Sequence, residues 1–288
     1  MRSVPIVVGY ALRESLRRRT FLVVLVLTVA FVALYWLGTR EAFETVDAAE
    51  PAPAAVIAGV DERTLVGATL LGLSMFGTLF LGAVLAAFLT LSVVRGDAER
   101  GLLQPLVVRP IGRSALLLGR WLAATVVCLA YVIAVFGANF LITWAEGEWR
   151  PDRVVEPALQ LGAAVAVIAA LSLLGSVFLS ATANGIAVFM IFGAGLVAGL
   201  LGQIGEALDS DRLREIANVT AWALPFEALY QDGLAALTAD QTGFTEFALQ
   251  LGPFGGAQPA GALLWPWSVA YVALVGGSAM LAFARKDL

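Results

Sequence analysis

The sequence predicts an all-α polytopic membrane protein with six transmembrane helices, and three observations carry that prediction. Apolar residues make up 60% of the chain and charged residues 14%, with a mean hydropathy of +0.87, a balance foreign to soluble domains. Several windows reach the roughly 20 apolar residues that cross about 30 Å of hydrocarbon as a helix. The charges that remain gather between these windows, with the basic ones concentrated in alternate gaps.

Taken in order, residues 1–19 come first. Val4, Val8, Leu12 and Leu16 share one helical face, with Arg13, Glu14 and Arg17 off it, the spacing of an interfacial helix lying on a leaflet. Spans follow at 20–38, 65–94, 114–144, 157–181, 185–205 and 262–284. The first could instead be a secretory signal, since arginines precede it, but it is long for an h-region and lacks a small-x-small cleavage site. The second and third runs, about 30 residues and roughly 45 Å as helix, must tilt or project beyond the lipid. Asn139, in the third span, is expected to make an interhelical hydrogen bond. Asn184-Gly185 reads as a tight turn between spans four and five. In the fifth span Gly195-x-x-x-Gly199, beside Gly193 and Gly202, permits close helix contact.

The segment Glu206 to Gly261 is irregular. Its stretch "ANVTAWALPFEALYQDGLAAL" is too apolar for a solvated loop, and Pro225 and Gly233 break it too often for a span. Short re-entrant helices dipping into the outer leaflet satisfy both facts, because backbone at that depth must be helical or covered by protein. Glu227 and Asp232 are then expected at the lipid–water boundary. "GPFGGAQPAG", Gly252 to Gly261, is a flexible link into the last span.

Six spans put both termini on one side. That side holds twelve basic residues against four acidic ones, a net +8, and the other holds six against eighteen, a net −12, which together give the chain's −4. The basic side is expected to face the cytoplasm, with both termini there. The arginine-rich, lysine-poor composition suggests a bacterium and hence its cytoplasmic membrane.

Several chemistries are excluded outright. The chain has no histidine and one cysteine, Cys128, so it cannot assemble an internal disulfide, a Cys/His zinc site or a Cys-His dyad. Its only lysine is Lys286, two residues from the end, so a GxxxxGK[ST] phosphate loop is impossible. The spans carry almost no ionisable residue at mid-depth, unlike proton- or ion-coupled carriers. No catalytic, cofactor-binding or metal-ligating residue is expected, and the substrate-binding residues are unknown.

Between spans two and three stands "RGDAERGLLQPLVVRPIGR", Arg95 to Arg113. Asp97 can cap a short helix over Ala98, Glu99, Arg100, Gly101, Leu102, Leu103 and Gln104 by accepting from free amides of its first turn. Pro105 ends or kinks it. The result is a knob with a charged flank and an apolar face. On the residues alone it is either a docking element or an inert connector bearing topogenic charge.

The longer stretch "VVRGDAERGLLQPLVVRPIGRSALLLGRWLAA" resembles the first cytosolic loop of ABC-2 type transporter permeases, a family with a copper-enzyme maturation branch. The likeness rests on Asp97, Glu99, Arg100, Gly101, Leu102, Leu103, the Arg109-Pro110 turn with Arg113, and the helix start Leu116-Leu117-Leu118-Gly119-Arg120. It departs from the family at Leu102 and Gln104, where Thr and Glu are common, and at Pro105. The resemblance implies a single permease domain over 1–288, with Asp97 to Gln104 as a coupling helix seated in a cytosolic ABC ATPase subunit. It also implies a second permease subunit, as homodimer or heterodimer, with ATP and Mg on the partner ATPase and no cofactor in this chain. Membrane lipid is the remaining partner, and no nucleic acid is expected. An amphipathic or lipid-like substrate moving outward fits the absence of a visible charged cavity. The alternative is a non-transporting scaffold for a periplasmic maturation complex.

Overall fold

The computed structural model describes residues 8–9, 19–48, 61–90, 113–240 and 260–285. The described residues form eight helices and no strand: α1 (Arg19–Ala48), α2 (Glu62–Thr90), α3 (Arg113–Gly147), α4 (Val155–Phe178), α5 (Ala181–Ala207), α6 (Asp211–Ala223), α7 (Pro225–Ala236) and α8 (Leu264–Arg285). Six of them, α1 to α5 and α8, are long and apolar enough to cross a bilayer. The protein is a multi-pass membrane protein. Apart from residues 8–9 and 19, the interfacial helix expected over 1–19 lies outside the described residues, as do Asp97 to Gln104 and most of the link from Gly252 to Gly261.

Side-chain pairs set the helix directions. Thr28 meets Tyr131, Tyr35 meets Thr143 and Trp36 meets Glu146, so α1 and α3 run parallel. Gly67 lies under Trp149, Gly82 under Val165, and Thr90 bonds Ser172, so α2 and α4 run together. The opposite sense of these two pairs follows from the end where α1, α2 and α3 meet, through Asp47, Arg63 and Gly147. That end is here called apical. The basal end carries the start of α1 and the finish of α8.

Burial separates a core from a lipid-facing shell. Two-thirds of the apolar window of α2 and of α4 is buried, against 6% for α1. Helix α4 is central, packing against α2, α3, α5, α7 and α8. Leu22, Val26, Val29 and Leu34 of α1 stay exposed, which water would penalise and hydrocarbon does not.

Hydroxyls, which are small and self-satisfying, stitch the helices. Thr143 donates to the Asn139 carbonyl at 2.9 Å, leaving Tyr35 to donate to Thr143 at 2.5 Å. Thr28 donates to the Val24 carbonyl at 2.7 Å, so Tyr131 donates to Thr28 at 2.6 Å. Each such bond is worth about 0.6 kcal/mol between membrane helices.

Charge closes the apical end. Asp61 caps α2, accepting the Arg63 amide at 3.1 Å and the Thr64 hydroxyl at 2.6 Å. Arg63 in turn donates to the Gly147 carbonyl at 3.0 Å and pairs with Asp47, placing a cation on the last carbonyls of α3.

Helix α1 continues beyond Gly38 to Ala48, its end held by Phe43 buried against Gly147 and by the Asp47–Arg63 pair. Two expectations are corrected. The turn expected at Asn184-Gly185 falls at Leu179-Ser180, where the Ser180 hydroxyl accepts from the Ala183 amide at 3.4 Å and caps α5. Asn184 lies inside α5, buried, and its amide donates to the Ser172 carbonyl at 2.9 Å. Asn139 is fully buried, yet neither side-chain atom has a hydrogen-bond partner, so the expected interhelical bond is absent among the described residues.

Candidate functional site

The irregular apical segment folds as a helical hairpin, α6 then α7, hinged at Leu224-Pro225. Proline suits the first turn of α7, where no amide partner is needed. Helix α6 packs along α5, and α7 packs mainly on α4. The hinge end reaches deep: Phe226 stacks on Phe192 at 5.7 Å, near the middle of α5. The other end of α7 is apical, where the Leu237 carbonyl accepts from the Asp152 amide at 3.1 Å. The pair thus descends from the apical end and returns to it, turning at Leu224-Pro225.

Glycines of α5 make the seat. A Cβ at Gly195 would strike the Phe226 ring, and one at Gly199 would strike the Glu227 carboxylate. The Gly195-x-x-x-Gly199 face therefore receives α7 of the same chain. Gly202 lies against Ala217 and Gly205 against Leu213, extending the same close approach to α6.

Between α5, α6, α7 and the start of α8 is a cavity of about 570 Å³, within the range of small-molecule sites. Its polar lining comprises Gln203, Glu206, Arg214, Asn218, Glu227 and Gln231, and Trp222 and Trp267 supply aromatic surface. Trp267 donates its indole N–H to the Trp222 carbonyl at 2.9 Å, and the two rings meet edge to face at 5.6 Å. Arg214 is engaged at the exposed rim by Asp209 at 2.5 Å and Asp211 at 3.3 Å.

Of the two carboxylates expected at a lipid–water boundary, Glu227 is buried within the bundle and Asp232 is half-buried near the apical end of α7. Glu227 is 6% exposed, and its Oε1 has no hydrogen-bond partner. Asp232 accepts the Ala260 amide at 2.7 Å on Oδ1 and the Gln160 side chain on Oδ2, tying α7 to α4 and to the approach to α8. The burial of Glu227 follows from the α5 glycine face, where Gly199 leaves room for its carboxylate.

The sequence-predicted loop residues Asp97, Glu99, Arg100, Gly101, Leu102, Leu103 and Gln104 lie outside the described residues. Cys128 is buried in the core. No group of three metal-ligating side chains comes together among the described residues. Among the described residues, neither a nucleophile–base pair nor a metal cluster stands beside the cavity.

No protein of curated function matches the chain. A family model described as ABC-2 family transporter protein matches residues 6–288. With six bilayer-length helices spread along that match, the chain belongs to the ABC-2 family of transporter proteins, as a transmembrane subunit of an ABC transporter.

Proposed function

We propose that the chain is the permease of an exporter that moves an amphipathic or lipid-like molecule outward across a bacterial cytoplasmic membrane. A separate cytosolic ATPase, carrying ATP and Mg, supplies the energy. The observation that carries this reading is the family match over nearly the whole chain.

The basal end, with Arg285 in the last turn of α8 and the excess of arginines flanking the spans, faces the cytosol under the positive-inside rule. The segment Asp97 to Gln104 sits in a groove of the ATPase and follows its closure. Two permease chains, identical or similar, enclose the path, since closed symmetric assemblies are the common solution. The hairpin and its cavity then stand on the outer side.

Affinity purification of the tagged chain from its native membrane in mild detergent tests the reading. The expected complex holds two permease chains and two ATPase chains by native mass spectrometry and hydrolyses ATP. A complex with a periplasmic protein and no nucleotide-binding subunit would overturn it.

A further inference from the structure

The Glu227 carboxylate poses a chemical problem that the fold leaves open. A buried carboxylate must be protonated or matched by a cation, because an unpaired charge in low dielectric is too costly. Among the described residues no cation pairs with it, and the cavity's arginine, Arg214, is held at the rim by two aspartates. A second acceptor is orphaned beside it. The Gln231 side chain lies against the Glu227 carboxyl, and its Oε1 also lacks a partner.

Glu227 and Gln231 both line one cavity, and with Glu227 ionised both orphaned oxygens are acceptors. The missing component is then a donor, and one carrying positive charge satisfies both needs together. Gly199 makes room for the carboxylate, since any side chain there would displace it. Across the cavity, Trp222 and Trp267 offer apolar faces, suited to the hydrocarbon part of the same molecule and attractive to a nearby cation.

We propose that this cavity binds a protonated primary amine bearing an apolar tail, its ammonium donating to Glu227 and Gln231 and its tail lying along Trp222 and Trp267. The ammonium can belong to a free alkylamine or to the headgroup of an aminophospholipid. The proposal deepens the permease reading, on which it depends for the site's role in transport.

The full chain in phosphatidylcholine nanodiscs, without ATPase, is titrated with radiolabelled dodecylamine, and binding to empty discs is subtracted. Saturable binding near one per chain is expected, with dodecanol failing to compete. Glu227→Gln, which keeps shape and removes charge, should bind about tenfold more weakly, the loss of one charge-assisted hydrogen bond. Its thermal unfolding reports whether it is folded, and the amine-against-alcohol comparison needs no variant. Discs containing phosphatidylethanolamine separate the sources: depressed dodecylamine binding assigns the site to the lipid headgroup, and unchanged binding assigns it to a free amine. Equal competition by dodecanol, or wild-type affinity in folded Glu227→Gln, overturns the proposal. ATPase co-purification on the same preparations reports the permease reading separately.

Discussion

The contact between Gly195 and Phe226 can be measured as a coupling energy. Phe226 is fully buried and stacked on Phe192. A Cβ at position 195 would fall at 3.0 and 3.1 Å from its two Cε atoms and closer still to Cζ. Gly195→Ala should therefore cost about 1–3 kcal/mol by overpacking, offset by about 1 kcal/mol from the better helix propensity of alanine, leaving about 0–2 kcal/mol. Phe226→Ala is different in kind. In a bilayer the transfer contribution is weak because lipid tails are as apolar as the core. What remains is the void: about 100 Å³ at about 24 cal/mol per Å³ gives about 2 kcal/mol. In the double variant the new methyl enters the space the ring vacated, so the combined cost should not exceed that of Phe226→Ala alone. The propensity gain cancels around the cycle, so the expected coupling is the relieved overpacking, about 1–3 kcal/mol. Unfolding of the full chain in mixed micelles, followed by helical circular dichroism, provides all four corners of the cycle. Costs that add within about 0.5 kcal/mol would refute the seating of α7 on α5.

Asn139→Leu should leave stability unchanged or raise it by about 1 kcal/mol or more, because it replaces a buried amide without a partner by an apolar group of similar size; a clear destabilisation in the same assay would mean the amide is satisfied. Single cysteines at Gln104 and Ala257, in a Cys128→Ala background, should react with an impermeant thiol reagent from the cytosolic and outer sides respectively. Labelling of position 104 from outside intact cells would reverse the proposed orientation.

The spans were legible because charge-free apolar runs admit few alternatives in a chain this hydrophobic. Their ends were less so. The extension of α1 is held by Phe43 against Gly147 and by Asp47–Arg63, tertiary partners that the sequence does not name, and charge in a helix that leaves the membrane looks the same in sequence as charge in a loop. At the turn between α4 and α5, the preference of Asn-Gly for turns lost to Ser180 capping and to a buried bond from Asn184 to Ser172. A tertiary partner twelve residues away decided it. The short helix pair was visible in Pro225 and its apolar flanks, yet the burial of Glu227 was not. That burial requires Gly199 opposite it, and the glycine spacing in α5 named a close contact without naming its partner. The only available signal was a carboxylate two residues after the hinge proline, inside an apolar segment.

ATPase association with loop variants tests the central claim most directly. Glu99→Arg reverses a charge and Gly101→Trp adds a bulky ring in the segment proposed to couple the permease to its ATPase, while Gly256→Trp makes an equally drastic change in the link before α8. All three should insert and accumulate normally, since none weakens the basic excess of the cytosolic side. Glu99→Arg and Gly101→Trp should lose ATPase co-purification or substrate-stimulated ATP hydrolysis, and Gly256→Trp should retain both. Full association and hydrolysis in the two loop variants, with loss in Gly256→Trp, would contradict the account and leave the stretch from Arg95 to Arg113 as a connector with topogenic charge.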